Sequence, residues 1–365
     1  MKILVLSKRQ YMLKDLIDDR FGRFREIPLE LARMGHRVTG LCLSYRPRTE
    51  GWISDGPVHW KSINAGRFKL VGLARFIAKA RRMAEDADII WACSDSFYGV
   101  IACILRKING FSVVFDIYDN FDYFLAARLP LGRQLYHWAL RQSDAVTCLS
   151  DAFARHLKSR LAPHQKVYPL EFAVRSDFFH PLPQSIARGK MGLPLGVKII
   201  GTAGALSKKR ETPLLLEAFE SLRKRHPDLH LALAGPRDFH IPKDPRIHDF
   251  GILEFQEVPF LVNCLDVAVV CYADDEFGKF CFPQKTREFM ACDVPVIAAD
   301  VGSLKDIFSG NREWLYKPGD YSSLAGTIEK RLTDNRTAYP TCPEWPDLAL
   351  RLERVLIDTI RGKKQ

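Results

Sequence analysis

Residues 198–222 read K-I-I-G-T-A-G-A-L-S-K-K-R-E-T-P-L-L-L-E-A-F-E-S-L. Lys198 to Thr202 is a short apolar run of the length a buried strand needs. Thr212 and Pro213 then open a helix, an N-cap residue type followed by a proline whose missing N–H costs nothing in a first turn. Leu215, Ala218, Phe219 and Leu222 recur at helical spacing and form its apolar stripe. A strand, a loop holding Gly204 and three successive cations, and an amphipathic helix make one βα unit.

The same unit recurs in both directions along the chain. Leu229 to Ala234, Asp266 to Cys271 and Val294 to Ala299 read as strands downstream. Upstream, so do Lys2 to Leu6, Arg37 to Leu43, Asp88 to Ala92, Ser112 to Asp116 and Asp144 to Leu149. A helix over Ile27 to Met34 stops at Gly35, a natural C-terminal cap. Strands apolar almost throughout and separated by helices predict parallel sheets covered on both faces. Proline and glycine crowd the stretch from Phe179 to Gly196, as in a linker. The expected architecture is α/β, with two Rossmann-like, doubly wound domains over 1–181 and 182–340 and a C-terminal helix within 341–365. Ligands of such sheets bind at the carboxyl ends of the strands, here expected in a cleft that the two domains face.

At 365 residues, 47% hydrophobic and 27% charged, the chain is globular and long enough for two cores. Nine scattered cysteines without a framework read as reduced thiols of a cytoplasmic protein. No apolar run approaches the ~20 residues that cross a bilayer, and Met1 to Leu6 is too short for a signal-peptide core. A secreted or transmembrane protein is therefore not expected. The net charge of +11 points to an anionic partner. Arg67 to Arg82 carries six cations and no acid, interleaved with Phe68, Leu70, Val71, Leu73, Phe76 and Ile77. Two readings stand side by side: a basic amphipathic helix for the inner face of an anionic membrane, or a surface helix packing its apolar face on the sheet. No nucleic-acid-reading motif accompanies the charge, so nucleic acid is not an expected partner.

Several motifs in order carry a resemblance. Gly204 to Phe219 resembles G-R-L-x(3)-K-G-x(3)-L-L-x-A-F. Pro227 to Pro236 resembles P-x-x-x-L-x-L-x-G-x-G. Pro283-Gln-Lys285 with Glu288-Phe-Met-Ala-Cys-Asp-Val-Pro295 resembles P-x-K-x-x-E-y-m-A-x-G-x-P-V. Gly302 and Trp314 to Asp320 fit the closing segment. These are motifs of the GT-B glycosyltransferases numbered family 4, and the likeness covers nearly all of residues 198–330. The resemblance implies that the second domain binds a nucleotide-sugar donor through Gly204, Lys208, Arg210, Pro283, Lys285 and Glu288. Arg210 would meet the diphosphate and Glu288 the ribose hydroxyls. The first domain, more loosely similar, would hold a saccharide or lipid-linked acceptor. Gly22 and Arg23 stand in for the usual Gly-Gly loop, and Asp119, with Glu288, lies nearest the reaction. No cofactor and no metal are implied, the nucleotide-sugar being a substrate and the cations taking a metal's part.

The departures are specific. Ala205 replaces the arginine after the first glycine. Phe280 replaces the first glutamate of the usual pair, which reads the sugar's hydroxyls, and Asp293 replaces a glycine. These departures resemble a subgroup that keeps the P-x-K-x-x-E core alone. Transfer with retention, in polysaccharide or glycolipid synthesis, is the expected activity. A non-catalytic partner subunit on the same fold and a nucleotide-sugar epimerase are the alternatives.

Overall fold

The computed structural model describes residues 1–11, 14–123, 131–334 and 336–363. The chain forms two compact units, Met1–Phe172 with Trp345–Gln365, and Ala173–Glu344.

The first unit is built on an eight-stranded sheet. Its strands are β1 (Lys2–Lys8), β4 (Arg37–Ser44), β5 (Gly51–Asp55), β6 (Val58–Asn64), β7 (Ile89–Ala92), β8 (Ser112–Ile117), β9 (Ala145–Cys148) and β10 (Lys166–Pro169). A separate two-stranded ribbon comprises β2 (Gln10–Tyr11) and β3 (Lys14–Asp15). The sheet order is β10-β9-β8-β7-β1-β4-β6-β5, parallel except for β5. β7, β8 and β9 are buried along their whole length, because helices cover both faces. The helices Lys69–Ala84, Ser96–Asn109 and Gly132–Gln142 pack in succession on one face, where the right-handed crossover rule places them. Arg23–Arg33 and the C-terminal helix Trp345–Lys363 pack together on the other.

The second unit has six parallel strands, β11 (Lys198–Ala203), β12 (Leu229–Ala234), β13 (Ile247–Asp249), β14 (Val267–Val270), β15 (Val296–Ala299) and β16 (Leu315–Tyr316). Their order is β13-β12-β11-β14-β15-β16. Among the parallel strands of each sheet the order reverses at one place, between β1 and β7 and between β11 and β14. Those are the positions where side chains from two loops converge beyond the strand ends.

Three aspartates expected inside strands lie just before them. Asp88, Asp144 and Asp266 each accept a backbone N–H at the start of the neighbouring strand, from its first residue Lys2 at 2.7 Å and from the second residues Val113 at 2.8 Å and Ile199 at 2.7 Å. A carboxylate there satisfies an otherwise orphaned donor and fixes the register of two strands at once. The helix expected from Ile27 begins at Arg23 and carries Pro28 within it. The domain boundary also differs from the expected 181/182. Val174 and Phe179, both upstream of residue 182, are buried in the core of the second unit.

Candidate functional site

The second unit gathers its charged side chains beyond β11 and β14. Gly204 directly follows β11 with φ +108°, a conformation that side chains resist. Its N–H donates to the Ala234 carbonyl at 2.9 Å. A Cβ on Gly235, itself at φ +135°, would lie 1.9 Å from the Gly204 oxygen, so these two loops touch only because residue 235 is a glycine.

The cationic run is pinned at several points. Ser207 Oγ accepts the Arg210 N–H at 3.2 Å, Thr212 Oγ1 accepts the Ser207 N–H at 3.2 Å, and Asp238 accepts the Lys208 N–H at 2.9 Å. Glu211, in a left-handed conformation, accepts the Gly319 N–H at 2.9 Å. Lys208 and Lys209 are left exposed and Arg210 half-buried. The Arg210 guanidinium lies 5.3 Å from the Tyr272 ring centre and 5.7 Å from that of Phe277, and Lys209 Nζ lies 4.3 Å from the latter. Aromatic faces hold these cations in place without neutralising them.

The helix Gln284–Ala291 starts at Pro283, which is buried and offers no side-chain cap. Lys285 is 9% exposed. Its ammonium makes one hydrogen bond among the described residues, to Thr202 Oγ1 at 3.4 Å, and it borders Gly204. Burial, then the Arg210 charge, pulls its pKa down to about 8. Glu288, one turn further and half-buried, accepts from Gln284 Nε2 at 3.1 Å. Burial pushes its carboxyl up to about 7, against the attraction of Lys285. Thus Gly204, Arg210, Lys285 and Glu288 come together, with Lys208 on the exposed part of the same loop. Phe280 is buried at the end of the short helix Glu276–Phe280, which Asp275 caps by accepting the Gly278 N–H at 2.8 Å. An apolar ring thus fills the position where the family's first glutamate stands. Thr202, Tyr272 and Phe277 escaped the sequence reading, since a strand threonine and two aromatics look like core.

The corresponding place in the first unit lies beyond β1 and β7. Lys8, at the end of β1, donates to Tyr118 Oη at 3.1 Å and stands 5.3 Å from the Tyr118 ring centre and 5.9 Å from that of Tyr11. Burial lowers its pKa, while the charges of Asp95 and Asp119 oppose that shift. Asp119 is half-buried and accepts the Asn120 N–H at 2.8 Å. Gly22, at φ +91°, precedes the first helix, and the Tyr11 ring approaches the place of its absent Cβ to 3.2 Å. Tyr11 and Tyr118 meet edge to face at 5.1 Å, so Gly22, Lys8 and Asp119 share one edge of the unit.

Arg23 does not join them, which corrects its expected place on the acceptor side. It is 0% exposed, donates to Asp116 and to the Leu170 carbonyl, each at 3.0 Å, and lies over Phe172. Its position in the first turn of the helix points it into the core. Lys8 was missed because the strand runs two residues beyond Leu6, onto a polar residue.

Residues 23–171 match the family model of the glycosyl transferase 4-like domain, and residues 197–334 that of the glycosyl transferases group 1. The 2-deoxystreptamine glucosyltransferase of Streptomyces kanamyceticus is 26% identical over 219 residues, 56% of this chain and 55% of that protein. A GDP-mannose-dependent alpha-(1-6)-phosphatidylinositol monomannoside mannosyltransferase of Mycolicibacterium smegmatis is 21% identical over 279 residues, 70% of this chain and 69% of that protein. The chain spans about half the length of most curated relatives it matches. Among solved structures, sucrose-phosphate synthase from Thermosynechococcus elongatus superposes with a TM-score of 0.77 at 18% identity, covering 99% of this chain and 100% of that one. HepE of Anabaena in complex with UDP superposes at 0.69 and 17% identity, covering 100% and 97%.

Proposed function

Because the chain belongs to the family of glycosyltransferases that join a glycosyl transferase 4-like domain to a group 1 domain on the GT-B fold, we propose that it transfers a sugar from a nucleotide-sugar donor to a saccharide or lipid-linked acceptor. The donor is bound by the second unit and the acceptor by the first, at the edge formed by Gly22, Lys8 and Asp119. The transfer proceeds with retention and serves the making of a polysaccharide or glycolipid.

One observation carries this reading. Arg210 stands close enough to Lys285 for its charge to depress the lysine's pKa, beside the contact of Gly204 and Gly235, and neither cation forms an ion pair among the described residues. Two unneutralised cations next to an exposed glycine backbone suit a diphosphate. As the bond from sugar to diphosphate breaks, negative charge grows on the leaving oxygens, and cations already in place stabilise it without rearranging. Glu288, as a carboxylate, accepts the ribose hydroxyls. Its raised pKa makes it a better acceptor than an ordinary glutamate once a ligand excludes water. The UDP held by HepE of Anabaena supports a donor of this class.

Thermal unfolding with UDP, GDP, ADP and dTDP tests the proposal. A nucleotide present at 100 times its dissociation constant is expected to add about 2.7 kcal/mol, for one base chiefly, and Glu288→Ala is expected to remove about half of the gain or more. Absence of a shift with all four would overturn the donor site.

A further inference from the structure

The helix Lys69–Ala84 contains two apolar sets, and the structure uses only one for packing. Gly72, Phe76, Ala80 and Ala84 form the buried stripe, mostly small residues at successive turns. Phe68, Leu70 and Val71 remain 73%, 80% and 58% exposed, with Ile77 beyond them on the same helix. The apolar face that meets the sheet is therefore not the one that carries most of the large side chains.

The start of this helix also breaks the local rules for helix stability. Phe68 occupies the N-cap, where a serine, threonine or aspartate would bond a free N–H, and makes no such bond. The first turn holds no acid and carries Lys69, with Arg67 just before it, at the end where the helix dipole disfavours positive charge. Rule-breaking of this kind is expected where a segment serves an external partner. Arg81 and Arg82 extend the positive charge to the last turn. Of the cations, Arg75 is paired, with Glu50 at 3.1 Å. Exposed Trp52 adds an amphipathic ring, with Lys61 at 5.8 Å and Lys79 at 5.4 Å from its centre. The adjoining helix Ser96–Asn109, on the same face of the sheet, exposes Ile104 and Ile108.

We infer that this face is a docking surface for an anionic lipid bilayer, into which Phe68, Leu70 and Val71 insert while Arg67, Lys69, Arg81 and Arg82 meet the headgroups. Large exposed aliphatic and aromatic side chains beside cations that pair with no acid among the described residues are what an interfacial helix presents. The charge disfavours a second copy of the chain as occupant. A soluble acidic partner would match the cations and leave the apolar tip unexplained. The helix is too short and too charged to span, and no described helix is long and apolar enough to cross a membrane. Docking is a property of this surface alone and holds whichever acceptor is used.

Co-sedimentation of the full chain with phosphatidylcholine vesicles, with or without phosphatidylglycerol at roughly a third of the lipid, tests it. Binding is expected to anionic vesicles only and to weaken with salt. Replacing Phe68, Leu70 and Val71 together by serine is expected to weaken it at least about tenfold. Serine is itself a favoured N-cap residue, so an unchanged melting temperature of that variant shows that folding is not the cause. Replacing Arg67, Lys69 and Arg81 by serine is expected to weaken binding about 100-fold. No binding to anionic vesicles at low salt overturns the inference. So does binding that the triple serine variant at 68, 70 and 71 retains in full while heparin competes it away, the behaviour of a soluble polyanion site.

Discussion

Each unit holds a cation and a carboxylate where a helix meets its sheet, and the two pairs are opposites. Arg23 and Asp116 meet at 3.0 Å, both fully buried; Thr147 donates to the same Asp116 oxygen and the Leu170 carbonyl accepts from Arg23, while Arg23 Nε and Asp116 Oδ2 have no hydrogen-bond partner among the described residues. Lys285 and Glu288 sit three residues apart on one helix and make no ion pair; each finds a neutral partner instead, Thr202 and Gln284. The first pair is a direct ion pair inside the core and behaves as architecture, although burial raises the Asp116 carboxyl as well. The second makes no direct ion pair, and burial draws the lysine down to about 8 and the glutamate up to about 7. Similar residue types thus divide into scaffold and site by whether the protein itself answers the charge.

The sharpest way to break this comparison is Asp116→Ala. It leaves the Arg23 guanidinium buried and uncompensated, so urea unfolding is expected to show a loss of about 3–5 kcal/mol. Glu288→Ala should do the reverse: the free protein no less stable than the parent at neutral pH, and about 1.5–3 kcal/mol lost from nucleotide binding measured by calorimetry. Equal destabilisation by the two changes would erase the distinction.

The same carboxyl gives a pH test. Its folded pKa lies above the ordinary 4.5, so its contribution to stability is full below about 4.5 and is lost as pH rises through about 7. Glu288→Gln is therefore expected to flatten the decline of stability between those values in denaturant titrations of the ligand-free protein. A decline that persists unchanged would assign it to other groups.

Smaller effects sharpen the picture of the cationic loop. Arg210→Lys keeps the charge and loses the planar fork lying near Tyr272 and Phe277, for an expected nucleotide affinity about tenfold weaker by calorimetry. Ser207→Ala removes the hydrogen bond to the Arg210 N–H and is expected to cost about 1 kcal/mol in thermal unfolding.

Much of the donor-side site was legible because its members lie in two short runs, Gly204 to Arg210 and Pro283 to Glu288, and each run is local in the fold. What lay between runs was not. The rings of Tyr272 and Phe277 beside Arg210 come from far along the chain, one from the loop after β14 and one from the short helix Glu276–Phe280, and apolar residues announce burial, not stacking on a cation. Arg23 and Lys8 show the same limit from the other side. The sequence displays an arginine after a glycine and a lysine after an apolar strand, but the first turns inward and the second outward. The strands were legible by their apolar runs, yet Asp88, Asp144 and Asp266 belong outside them, serving a neighbour that sequence spacing does not reveal. Prolines suggested the boundary at 181, while the packing of Val174 and Phe179 set it earlier.

The C-terminal helix Trp345–Lys363 belongs to the first unit, and His36 bonds Glu353 at 2.6 Å within it. Leu348, Leu352, Val355 and Leu356 on that helix are buried where it packs on Arg23–Arg33. In the order of synthesis, then, the second unit is an insertion: all of Ala173–Glu344 leaves the ribosome before the piece that completes the first. At about 5–20 residues per second that interval lasts on the order of 10–30 s. Throughout it the first unit holds an uncovered apolar groove, and the unit translated second is the first to be finished.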